Sequence, residues 1–77
     1  MYEPSFNWRD YITFDLAVCH GEPCIKGTRV MVSTVLDSLA DGETLDAIET
    51  AYHIGRQDIR AVLAYAAEQI EPPPRAA

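Results

Sequence analysis

A chain of 77 residues with a formal net charge of −6 can build one small domain. A domain of this length buries only about 60% of the surface its unfolded chain exposes, so a second copy or a partner would add to its stability. Twelve acidic against six basic side chains oppose a polyanion as a whole, and any nucleic-acid contact has to come from a local cluster of cations.

Two cysteines are too few for a secreted disulfide scaffold. Glu3, Arg9 and Asp10 interrupt any leader-like apolar run, and no stretch approaches the roughly 20 apolar residues of a membrane span. A soluble cytoplasmic protein with reduced thiols is expected. Residues 1–10 carry Tyr2, Phe6 and Trp8 at even spacing, which suits an extended arm with one aromatic face. This arm contributes no residue to the helical stripes downstream, so residues 11–70 are expected to fold without it. Residues 11–14 form a short β-type run, and Gly21, Pro23 and Gly27 then punctuate the chain as turns. Residues 23–26 and 28–32 read as two short strands joined at Lys26 and Gly27, where glycine supplies the positive φ of a tight hairpin.

From residue 33 the apolar period becomes helical. Val32, Val35, Leu36 and Leu39 define a first helix over about residues 33–41, with Ser33 as its N-cap and Gly42 in the left-handed position past its end. Thr44 caps a second helix of about two turns, with Asp46 in its first turn and Leu45, Ile48 and Tyr52 on its buried face. Gly55 lies in the turn before a third and longest helix. Asp58 falls in that helix's first turn, and Ile59, Val62, Leu63, Ala66 and Ile70 share one face until "EPPP" ends it. Residues 71–77 are expected to form a proline-rich flexible tail. The predicted fold class is mainly α, with short N-terminal β-strands or a hairpin followed by a three-helix, helix-turn-helix bundle.

The densest stretch is "VCHGEPCIKGTRV", residues 18–30. Cys19, His20 and Cys24 supply three of the four ligands zinc needs, and His53 is the only other histidine. The spacing matches no common zinc motif, and adjacent ligands on one strand seldom aim at the same ion, so neither a metal nor a cofactor is expected. A Cys19–Cys24 disulfide is conceivable across the turn but disfavoured in a reducing compartment. Both thiols are therefore read as small apolar side chains beneath the hairpin. Lys26 and Arg29 flank a glycine that allows close backbone approach, which makes them candidate phosphate contacts on DNA. Arg29 has a competing structural role as the partner of Asp37 on the following helix. A helix-turn-helix presents the N-terminal residues of its last helix to base edges, so Arg56, Gln57 and Arg60 are the candidates for reading DNA. No Ser-His-Asp order, paired-carboxylate pocket or cofactor fingerprint is present, and the chain is not expected to be an enzyme.

"ITFD", "HGEPCIKGTRVMVSTVLDSLADG" and "TLDAIETAYHIGRQDIRAVLAYAA" resemble the bacterial domain-of-unknown-function 433 family. Its members share a Gly-x-Pro…Gly-Thr-Arg segment, a helix ending in glycine and a closing Asp-Ile-Arg…Tyr-Ala helix. Gly21, Pro23, Gly27, Thr28, Arg29, Gly42, Asp58, Ile59, Tyr65 and Ala66 carry the likeness, across about residues 12–67. His20, Leu16, Met31 and Gly55 depart from the family pattern, at turns and caps. The resemblance implies a homeodomain-like fold and a VapB-like antitoxin that neutralises a PIN-like ribonuclease toxin, with possible autoregulatory binding of operator DNA. An acidic domain suits the basic surface that such a ribonuclease needs to hold RNA. Tyr2, Phe6 and Trp8 are the candidate anchors, with packing on their own core or on a second copy as the alternative. A homodimer is expected from the small core and the open edges of short strands. The alternative function is a free-standing DNA-binding transcriptional regulator without a toxin partner.

Overall fold

The computed structural model describes residues 6–70. A 3-10 turn over Trp8–Asp10 leads into β1 (Ile12–Thr13), α1 (Leu16–Cys19) and β2 (Cys24–Ile25), followed by α2 (Val32–Ala40), α3 (Leu45–Tyr52) and α4 (Arg56–Gln69). The protein is mainly helical, with a short antiparallel pair of strands toward its N-terminus.

The N-terminal segment is more folded than its composition suggests. The Asn7 side chain accepts from the Arg9 amide at 3.0 Å and the Tyr11 amide donates to the Trp8 carbonyl at 2.9 Å, which closes a turn where an extended arm was expected. Trp8 is only 8% exposed and belongs to the core, so residues 6–10 are not separable from the helices. Tyr2 and the tail, residues 71–77, lie outside the described residues. Asp15 caps α1 by accepting from the Ala17 amide at 2.8 Å, a side-chain N-cap of the ordinary kind.

The strand pairing also differs from the expectation. Ile12 faces Ile25 and Thr13 faces Cys24, so the partner of β2 is the 11–14 run. The expected second strand, residues 28–32, is reduced to a single bridge between Cys24 and Met31, because Val32 already begins α2. Gly27 does occupy the left-handed region, φ +82°, in the turn that returns the chain. The Thr28 hydroxyl staples this turn, donating to the Ile25 carbonyl at 2.8 Å and accepting from the Val30 amide at 3.0 Å.

α2 has no side-chain cap. Met31, not Ser33, is its N-cap, and the first helical amide, Val32, donates instead to the Pro23 carbonyl at 3.0 Å. At the other end Gly42 sits at φ +88°. Its amide donates to Leu39 at 3.0 Å while Glu43 donates to Ser38 at 3.1 Å, the paired bonds of a Schellman ending. Thr44 caps α3 through the Ala47 amide at 3.1 Å. The α3–α4 turn is His53, Ile54 and Gly55, and its left-handed residue is His53, φ +56°, not glycine.

α2, α3 and α4 pack on one another and the 3-10 turn packs on α4. Ile25, Val35, Ile48, Ile59 and Val62 are the largest apolar side chains fully enclosed. Ser38 is buried too, its hydroxyl 3.0 Å from that of Tyr52, which ties α2 to α3. On α4 the buried face includes Ile59, Ala61 and Val62, while Leu63 and Ile70 are exposed. At 100° per residue this face is rotated from the expected stripe toward Ala61 and Tyr65, because Trp8 covers that side, its ring 4.9 Å from that of Tyr65. Cys19 and Cys24 are free and buried. Burial and the neighbouring Cys19 push the Cys24 thiol up to about 11.

Candidate functional site

Three surfaces hold the side chains of functional interest. The first is the Gly27 turn. Lys26 is exposed and its amide donates to the Tyr11 carbonyl at 2.8 Å, which fixes the turn to the sheet. Arg29 makes no bond to Asp37. Its Nη1 donates to the Val18 carbonyl at 3.2 Å, so the guanidinium reaches from the turn to α1 and lies beside a helix C-terminus, where a cation is favoured. Gly21, φ +84°, follows His20, φ +56°, at the end of α1, and Pro23 leads into β2.

The second is the start of α4. Arg56, Gln57 and Arg60 are all exposed there. Gly55 is the N-cap residue, and its amide donates to the Asp58 carboxylate at 2.9 Å. Arg56 reaches back across the turn to α3, its Nε donating to Glu49 and its Nη2 to Asp46 at 2.5 Å. The hydrogen bond to Glu49 and the paired carboxylates hold its guanidinium above the ordinary arginine range. Base reading by Arg56 would have to break two ion pairs. Arg60 lies 4.0 Å over the ring of Phe6, which stacks on Tyr11 with centroids 5.4 Å apart. Phe6 and Tyr11 thus connect the Arg60 side chain to the backbone of the Gly27 turn, a contact that sequence spacing alone does not show.

Of the aromatic anchors, Phe6 is half-buried between Tyr11 and Arg60, and Trp8 is enclosed. The Glu68 carboxylate accepts from Trp8 Nε1 at 3.2 Å and from Arg9 Nη2 at 3.2 Å, which pins the 3-10 turn to the end of α4. The sequence reading did not single out Glu68. The third surface was not singled out either. Residues 30–55 contain Asp37, Asp41, Glu43, Asp46 and Glu49 and no lysine or arginine, and all but Glu49 are exposed. The signal is visible in the sequence as a local charge imbalance, which the whole-chain value of −6 conceals.

Among the described residues no three His, Cys, Asp or Glu side chains are grouped to hold a metal ion, and no helix is long and apolar enough to cross a membrane.

Together these features define a small helical domain with a helix-turn-helix at α3–α4 and an acidic α2–α3 surface. The family model described as "Protein of unknown function (DUF433)" matches residues 12–66, and the chain belongs to that family. No curated protein and no solved structure matches the chain.

Proposed function

We propose that the protein is an antitoxin-type binding protein that covers the basic surface of a PIN-like ribonuclease, working as a homodimer in the cytoplasm and without catalysis of its own. The observation that carries this reading is the acidic α2–α3 surface: residues 30–55 hold five carboxylates and no lysine or arginine, and although Arg56 pairs with Asp46 and Glu49, Asp37, Asp41 and Glu43 are exposed and make no ion pair among the described residues. Opposite-sign surfaces steer association and select the partner. The choice of a ribonuclease follows the family resemblance. Trp8 is engaged in the core, so the partner contact moves from the aromatic arm to α2–α3, with Phe6 as the remaining partly accessible anchor among the described residues. Co-expression with a PIN-like ribonuclease encoded beside this chain tests the reading. Growth arrest is relieved if it holds and persists if it does not. β1 has β2 as its only strand neighbour among the described residues, and its other edge is where a second copy would pair. Sedimentation at micromolar concentration gives a dimer on this account, and a clean monomer contradicts it.

DNA binding is the second reading, favoured by the α3–α4 geometry and the exposed Gln57 and Arg60 on the first turns of α4. The carboxylates of α3 beside Arg56 oppose a phosphate backbone, so the affinity should be low and strongly dependent on salt. Retardation of upstream DNA at low salt, weakened by Arg60→Ala, supports this second role.

A further inference from the structure

A cleft of about 350 Å³ opens between the Gly27 turn and the β1–α1 segment, with Thr13, Asp15 and Val18 on one wall and residues 26–29 on the other. Its size lies at the lower end of the range for small-molecule sites. Two of the six basic residues in the chain, Lys26 and Arg29, line it. Arg29 donates one N–H to Val18 across the cleft. The rest of its planar fork of donors has no hydrogen-bond partner among the described residues.

The turn also presents backbone donors. The Lys26, Thr28 and Val30 amides are bonded within the turn and sheet, whereas those of Gly27 and Arg29 make no hydrogen bond among the described residues. A Cβ built on Gly27 would meet nothing within 4 Å, so the backbone there is open to a ligand. Two cations line this concave space and two unengaged amides belong to the same turn, which are the elements of an oxyanion site. Asp15 is the one anion in the lining, and it is held by its cap on Ala17 at 2.8 Å.

We propose that this cleft binds a phosphoryl group, held by Lys26, Arg29 and the Gly27 and Arg29 amides, with Asp15 weakening the affinity. The inference does not rest on the toxin reading, and its test uses no protein partner. The group has two sources, a small phosphate monoester or the backbone of a nucleic acid. Amide NMR of the full chain, titrated separately with inorganic phosphate, adenosine 5′-monophosphate and a short single-stranded oligonucleotide without terminal phosphates, tells them apart.

Saturable shifts at Gly27 and Arg29 with phosphate and the monophosphate, and not with the oligonucleotide, support the small-molecule source. The same shifts at lower concentration of oligonucleotide support the nucleic-acid source. Lys26→Gln weakens binding about tenfold, the size expected for losing one charge-assisted contact. Asp15→Asn keeps a capping oxygen and tightens binding severalfold, while Asp41→Asn, an equal charge change on the end of α2, leaves it unchanged. No shift at Gly27 and Arg29 with any of the three probes overturns the proposal. So do shifts that respond to none of the substitutions, or that respond to Asp41→Asn as strongly as to Asp15→Asn.

Discussion

Residues 6–31 and residues 32–55 are of similar length and are built in opposite ways. The first segment balances its charge, with Arg9, Lys26 and Arg29 against Asp10, Asp15 and Glu22. Its elements are only two to four residues long and are held by specific contacts: Trp8 in the core, the Thr28 staple and the Arg29 bond to Val18. The second is two regular helices whose own charged side chains are all carboxylates, with Arg56 of α4 paired to two of them. Irregular backbone placed by individual side chains can shape a cleft, whereas regular helices offer a surface whose charge can be changed without disturbing the core. The two segments should therefore fail differently when mutated.

The largest expected effect is in the first segment. Trp8→Ala removes a ring that touches Tyr65 and a hydrogen bond to Glu68 and should cost about 3–5 kcal/mol, a large part of the stability of a domain this small. Chemical denaturation measures it. In the second segment the triple substitution Asp37→Lys, Asp41→Lys and Glu43→Lys takes the formal net charge from −6 to zero while altering only exposed side chains. Lysines near the C-terminus of α2 suit the helix dipole, so circular dichroism should stay native while affinity for a PIN-like ribonuclease falls about a hundredfold. A variant that unfolds, or that binds as before, breaks the contrast between the segments.

A smaller effect concerns the thiols. The Cys24 thiol is raised from 9.0 to about 11 by burial and by Cys19, so the folded state favours its protonated form. That contribution is complete below about pH 9 and is lost as pH rises through about 11. Stability measured against pH should decline over this window, and Cys24→Ala should flatten the decline. The smallest effect is expected for Arg56→Ala. Its ion pairs to Asp46 and Glu49 lie at the surface, where such pairs contribute little to stability, so its Tm should stay close to that of the wild type.

The same contrast explains what could be read from the sequence. The three helices were legible because each runs two turns or more, long enough for a 3.6-residue period, and because Thr44 and Gly42 mark ends by local chemistry. The 3-10 turn and α1 are too short to show a period, and their stop signals resemble those of a loop. Leu63 and Ile70 fit the apolar spacing of α4 and are exposed, since the covering residue, Trp8, comes from the other end of the chain. Positions of the candidate site residues were legible and their partners were not. Arg29 has a backbone carbonyl, not Asp37, as its partner. Arg56 meets Asp46 and Glu49 only because His53 turns the chain back through a left-handed conformation.

The central claim, that the acidic α2–α3 surface binds a basic ribonuclease, is tested most directly by titrating the purified chain into a PIN-like ribonuclease encoded beside it and measuring RNA cleavage across a range of salt. The wild type should inhibit saturably, with inhibition that weakens as salt screens the charges, and the triple lysine variant should lose about a hundredfold in potency. Inhibition that survives both high salt and the triple substitution, or no inhibition by the wild type at any ratio, would contradict it.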